Sequence, residues 1–213
     1  MILIAWAGSA RHLVGIFPRV NYRTLLVAAM TFAFTAVASA DPPSSQMTLQ
    51  DKPLFPQGTK AIIGWGSYTP PIGYSSDHVY DASVGVSYYV WNNHAFNLVA
   101  DGYHVDQEDG HTAEGSSISI MGRYHFFNRD PFTVYFDGGC GLSWFNSPMP
   151  KGGTTYDFNP RLGLGVGYHL LDNLWLTAGA RYFHFSNARQ HGPDKNPGYE
   201  GIECYIGFLL TLD

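Results

Sequence analysis

The chain has 213 residues and a formal net charge of -5, with charged residues at only 14%. That balance excludes a basic nucleic-acid-binding surface, and a mean hydropathy of -0.10 excludes a bundle of membrane helices. Aromatics reach 15%, with 14 Tyr, 14 Phe and 24 Gly, a profile that suits a β protein with one apolar and one polar face.

The only long apolar run covers 25–40 and reads LLVAAMTFAFTAVASA. Arg19 and Arg23 precede it, and Ala38-Ser39-Ala40 closes it. A charged start, an apolar middle and small residues at the end are the layout of a secretory signal peptide, with cleavage expected before Asp41. The run falls short of the ~20 residues that a membrane-spanning helix needs. The domain reading is a cleaved signal peptide over 1–40, a Pro/Ser-rich lead over 41–57 and one β domain over 58–213. Export would carry Cys140 and Cys204 through an oxidising compartment. Their strands are not expected to be neighbours, so both are read as free, outward-facing thiols.

From residue 58 the chain breaks into segments that alternate with period two. Tyr80, Ala82, Val84, Val86, Tyr88 and Val90 share one face of a segment. Phe132, Val134, Phe136, Gly138, Cys140, Leu142 and Trp144 share a face of another, as do Phe158, Leu162, Leu164, Val166 and Tyr168 of a third. Weaker segments start near Lys60, His94 and Thr112, and two more cover 173–186 and 199–212. Tight turns at 92–93, 128–131 and 171–173 alternate with longer polar loops at 70–77, 106–112, 146–155 and 188–198. Short turns at one end and long loops at the other predict an all-β fold, an eight-stranded antiparallel transmembrane β-barrel of the outer-membrane type.

The polar parity supports that expectation. Asp81, Asp101, Asp137, Asp157, Arg123, Arg161 and Arg181 all fall on the row opposite the apolar one, where lipid would be ruinous and mutual pairing would be favourable. Tyr68, Tyr88, Trp91, Phe126, Phe132, Trp144, Trp175 and Tyr182 sit near segment ends as an aromatic girdle. A soluble sandwich would alternate too, but would bury its apolar rows.

The chemistry gathers near the C-terminus. His184 and Ser186 lie two residues apart on one segment, so their side chains leave the same face, as an imidazole base and a hydroxyl nucleophile must. On the last segment Glu200 continues the outward row of Ile202, Cys204, Ile206, Phe208, Leu210 and Leu212, while Glu203 falls on the inward row. Parity therefore selects Glu200 rather than Glu203 as the acid. His191 and Asp194 lie in the loop between and read as solvated polar groups. His104, His125 and His169 are scattered, and neither a metal-ligand spacing nor a phosphate-binding glycine loop appears.

HFSNA at 184–188 and NPGYE at 196–200 resemble the lipid A 3-O-deacylase (PagL) family. The resemblance implies an outer-membrane serine esterase with His184 as general base, Ser186 as nucleophile, Glu200 as orienting acid and Asn187 in the oxyanion hole. It implies lipopolysaccharide as substrate, outer-membrane lipids as surroundings, and no cofactor or metal; a homodimer is left open. The loop after Asn187 looks longer than the family's, and the chain ends in Asp213 rather than an aromatic residue. Two rival functions stay open on the residues alone: a phospholipase A-type esterase, and a non-catalytic structural or adhesion barrel.

Overall fold

A computed structural model describes residues 53–73, 75–190 and 192–212. The expected signal peptide, its cleavage point, most of the lead segment and His191 lie outside the described residues. Among these residues nine strands form: β1 Lys60–Thr69, β2 His78–Trp91, β3 His94–Asp106, β4 Thr112–Arg129, β5 Phe132–Met149, β6 Thr154–Phe158, β7 Arg161–Leu171, β8 Leu174–Phe185 and β9 Tyr199–Leu212. They make one antiparallel sheet in the order β4-β3-β2-β1-β9-β8-β7-β5-β6, and β4 also pairs with β5. Among the described residues no helix is long and apolar enough to cross a membrane.

The expected regular, eight-stranded transmembrane barrel is corrected to this irregular nine-stranded sheet. The segment read as one strand through 158–168 is two, β6 and β7, both paired with β5. Asn159 and Pro160 interrupt it, because proline has no N–H to give to a ladder. Further register shifts fall at Tyr89/Trp91, His125/Phe127, Trp144/Met149 and His169/Leu171. The loop expected over 146–155 is also shorter than read, since β5 continues to Met149 and β6 begins at Thr154.

Alternation is obeyed along the strands. In β3, Ala95, Asn97, Val99, Asp101 and Tyr103 are buried, whereas Phe96 and Leu98 are exposed. The buried face holds the charges that parity placed there. Arg123 and Arg181 share Asp137, at 2.8 Å from each guanidinium, and Arg181 also meets Glu203 at 3.3 Å. Arg161 pairs with Asp101 at 3.0 Å. Aromatic faces cover what remains of these cations, with Arg181 over Tyr205 at 3.9 Å and Arg123 over Tyr135 at 4.2 Å. Such a set contributes little net stability, but removing one member leaves a bare buried charge. Gly163 makes room for it: a Cβ there would come within 2.8 Å of the Arg181 side chain.

At the tight-turn end Phe55 closes the buried face against Tyr89, His125 and Trp175. Trp175 is therefore a core residue at 4% exposure, not part of an outward girdle; its neighbours Leu174 and Leu176 hold the outward parity. At the other end Tyr103, Phe145, Phe183, Phe185 and Tyr199 form a second aromatic cluster. Cys140 and Cys204 are free thiols, the first exposed and the second half-buried.

Candidate active site

The loop-end aromatic cluster positions the candidate residues. Phe183 and Phe185 of β8 are fully buried and pack edge-to-face at 4.6 Å. Their outward neighbours on the alternating strand are Tyr182, His184 and, one residue past the strand, Ser186. Two buried phenylalanines thus fix the orientation of a serine and a histidine on the opposite face.

His184 has Glu200 as its direct partner across the β8–β9 ladder. Its Nδ1 is buried without a hydrogen-bond partner among the described residues and faces Glu200 Oε1 at 4.0 Å. The carboxylate is half exposed and the imidazole less so. On the other side of β8, the His184 N–H donates to Pro160 O at 3.1 Å, so the histidine stands between Pro160 and Glu200. Tyr182 stacks on its ring, 6.4 Å between centroids and 10° from parallel. Gly198, at φ +67°, covers the far edge: its Cβ position lies 3.5 Å from His184 Cε1, and a positive φ suits glycine better than any L-residue.

Ser186 is half-buried. Its backbone exchanges both hydrogen bonds with Phe158, 3.1 Å as donor and 2.8 Å as acceptor, while its hydroxyl makes no hydrogen bond to a described residue. Ser186, His184 and Glu200 thus share one face, without a Ser186–His184 or His184–Glu200 hydrogen bond between them. Catalytic hydrogen bonds are commonly long without substrate and tighten with it.

Asn187 has turned to the buried side, fully enclosed. Its Nδ2 donates to Lys195 O at 2.6 Å and to Thr154 Oγ1 at 3.0 Å, and its N–H donates to Asn196 Oδ1 at 2.9 Å. Its Oδ1 has no hydrogen-bond partner among the described residues. Asn187 thus anchors the 188–198 loop, which opens in a tight turn: Gln190 N–H donates to Asn187 O, with Ala188 at φ 52° and Arg189 at φ 60°. That is a type I′ turn without the glycine or asparagine it prefers.

Glu203 is fully buried and bonded to Arg181, apart from this site, as parity required. The remaining candidates are placed elsewhere. His125 is buried against Tyr89 and Thr133, His169 pairs with Asp130, His104 pairs with Glu114 and Asp106, and Asp194 is exposed in a short 3-10 turn, Pro193–Lys195. No group of three or more metal-ligating side chains occurs among the described residues. Sequence reasoning did not single out Tyr182 as a neighbour of the histidine, although it lies two residues before His184 in the same row. Thr154 and Asn196 gave no sequence signal, because their roles depend on how the loop folds back.

A histidine facing a carboxylate, with a serine on the same strand face, is hydrolase-type chemistry on an all-β scaffold. The family model described as Lipid A 3-O-deacylase (PagL) matches residues 70–208, more than half of the chain, and the chain belongs to that family. No curated protein matches it in sequence. Among solved structures it is similar to Neisserial surface protein A, with 15% identity, TM-score 0.55, and coverage of 72% of this chain and 96% of that one. It is similar to the outer membrane enzyme PagL, with 20% identity, TM-score 0.50, and coverage of 69% and 97%. The N-terminal beta-barrel domain of Pseudomonas aeruginosa OprF gives 18% identity, TM-score 0.49, and coverage of 72% and 98%. At these identities the structural likeness is one of fold. The resemblance is to an outer-membrane, β-structured family of hydrolases.

Proposed function

We propose that this protein is an outer-membrane esterase that removes the 3-O-linked acyl chain of lipid A, with Ser186 as nucleophile, His184 as general base and Glu200 as orienting acid. The observation that supports this reading best is the direct cross-strand pairing of His184 and Glu200, with the partnerless Nδ1 turned toward the carboxylate and Ser186 two residues further along the same face.

Beside the site the outward row is apolar: exposed Tyr182 and Leu162 are ladder partners, and Ile202 flanks Tyr182 on the other side. An exposed apolar stretch of this kind is a binding surface rather than ordinary protein exterior, and an acyl chain laid along it would bring its ester to Ser186. His184 Nε2 takes the Ser186 proton as Oγ adds to the ester carbonyl. Glu200 accepts the Nδ1–H hydrogen bond, fixes the tautomer and stabilises the imidazolium. Asn187, or the backbone N–H groups beside it, stabilises the oxyanion in this reading, a contribution of about 3 kcal/mol; its buried Nδ2 would have to leave Thr154 Oγ1 or Lys195 O and swing to the outward face to do so. Collapse of the tetrahedral intermediate expels the sugar 3-oxygen, which takes the proton from His184 and leaves acyl-Ser186. Water, deprotonated by His184, then releases the fatty acid.

The same proposal includes export, with a mature N-terminus at Asp41. Purified protein incubated in detergent with lipid A should release free 3-O-linked fatty acid, and Ser186→Ala should release none. Release from glycerophospholipid but not from lipid A would replace this reading with a phospholipase. Mass measurement of the membrane form should find the chain beginning at Asp41.

A further inference from the structure

Tyr182 reaches both partners of the His184–Glu200 pair. On β8 it precedes His184 by two residues, and its ring stacks on the imidazole, 10° from parallel with centroids 6.4 Å apart. Across the ladder its partner is Ile202, whereas Glu200 is the partner of His184. Tyr182 and Glu200 are therefore diagonal neighbours, a separation that a long side chain spans, and the Tyr182 side chain hydrogen-bonds the Glu200 carboxylate. The phenol is the donor, because an ionised carboxylate only accepts.

Glu200 is fixed from its other side as well. The Ile72 N–H donates to Glu200 O at 2.9 Å, and Pro71 bridges Gly201, so the segment over 70–73 lies against the start of β9. Gly73 bounds the carboxylate there: a Cβ on it would sit 3.5 Å from Glu200 Oε2. The backbone of Glu200 is thus held between β8 and this segment, and its carboxylate is aimed by side-chain torsions alone. Oε1 lies 4.0 Å from His184 Nδ1, beyond hydrogen-bond length, so the aim of that carboxylate decides whether the pair can close.

The carboxylate is half exposed, and an acyl chain on the apolar row of Leu162, Tyr182 and Ile202 would strip water from it. A carboxylate that loses water needs protein donors, and its two oxygens have lone pairs for more than one. The phenol supplies one donor and leaves room for the Nδ1–H. We propose that Tyr182 is a positioning residue of this site: its hydroxyl holds the Glu200 carboxylate aimed at His184 Nδ1, and its ring keeps the imidazole from rotating out of line. Tyr182 acts through Glu200 and His184 and touches no reacting atom. The assignment rests on the esterase reading above.

Tyr182→Phe keeps the ring and removes the hydroxyl. With lipid A in detergent it should lower kcat roughly tenfold, the worth of one hydrogen bond to a charged group, and leave KM close to wild type. Tyr182→Leu, which also loses the stack, should lose a further few-fold. In a Glu200→Ala background, measured with enzyme in excess, Tyr182→Phe should cost nothing more, because the carboxylate through which the hydroxyl acts is gone. The same loss in both backgrounds, or a raised KM with kcat unchanged, would overturn the proposal and leave Tyr182 as a wall of the acyl surface.

A second measurement does not depend on turnover. In full-length Ser186→Ala protein in detergent, ring-nitrogen NMR should find neutral His184 with its proton on Nδ1, the tautomer that a carboxylate partner selects. Tyr182→Phe should move part of that population to Nε2, and Glu200→Ala should move more. An unchanged tautomer in Tyr182→Phe would overturn the positioning role. Absence of Ser186-dependent hydrolysis in the wild type would defeat the esterase reading instead, and the tautomer would still decide whether Tyr182 aligns the pair.

Discussion

His184 and Glu200 are ladder partners across β8 and β9, with Nδ1 of the imidazole 4.0 Å from Oε1 of the carboxylate. The backbone fixes this relationship, since both residues belong to a continuous antiparallel register, and a closure of about 1 Å would bring the pair to hydrogen-bond length. Ser186 takes the same face through the pleat of β8. In the proposed reaction the three groups act as a unit. Ser186→Ala and His184→Ala should each abolish deacylation, and the double variant should be hardly worse than either. Circular dichroism and the unfolding midpoint should stay near wild type, because neither side chain packs in a core. Full activity in Ser186→Ala would remove the nucleophile.

The two acids of the last strand should separate cleanly. Glu200→Ala is expected to lower turnover by roughly 10³–10⁴-fold, as when the acid of other triads is lost, with little change in stability. Glu203→Ala should do the reverse: it strips Arg181 of a partner 3.3 Å away in a fully buried setting, a loss of about 3 kcal/mol or more, with the activity of the folded fraction kept. Thermal unfolding and turnover measured on both variants check this. A turnover defect in Glu203→Ala and none in Glu200→Ala would invert the assignment.

The loop-anchoring contacts of Asn187 and its proposed oxyanion role can be told apart. Thr154→Ala removes one anchor of the loop but leaves the Asn187 amide in place and frees one of its protons, whereas Asn187→Ala removes anchor and amide together. If the amide stabilises the oxyanion, Asn187→Ala should lose about 10²-fold in kcat, and Thr154→Ala clearly less. Equal losses in kcat would leave Asn187 as a loop anchor only.

The turn after Ser186 carries backbone strain. Ala188 and Arg189 both hold positive φ, at a cost of roughly 1 kcal/mol or more each for residues with a Cβ. Arg189→Gly should recover about 1 kcal/mol and raise the unfolding midpoint by about 2–4 °C. A lower midpoint would mean that the Arg189 side chain contributes more than its backbone costs.

Alternation makes much of this molecule legible in its sequence. The buried charges, the outward row of Ile202, and the choice of Glu200 over Glu203 all follow from the period of two, which the β-pleat enforces residue by residue. Irregularity was not legible to the same degree. Pro160 removes a ladder donor and splits one segment into β6 and β7, and the polar 146–149 stretch reads as loop although it is strand. Trp175 looks like a girdle residue because it lies near a strand end, yet its parity is inward. The placement of His184, Ser186 and Glu200 on one face was readable because they sit on strands or directly after one. The contacts of Asn187 were not, because they depend on the loop turning back to place Lys195 O and Asn196, eight and nine residues further on, beside it.

The most direct measurement is mass spectrometry of lipid A from cells that make the wild-type protein, the Ser186→Ala variant, or neither. Lipid A from wild-type cells should lack one 3-O-linked acyl chain, while the other two samples retain it and match each other. An intact acylation pattern in wild-type cells with the protein present in the envelope, or the same loss with Ser186→Ala, would contradict the proposed reaction.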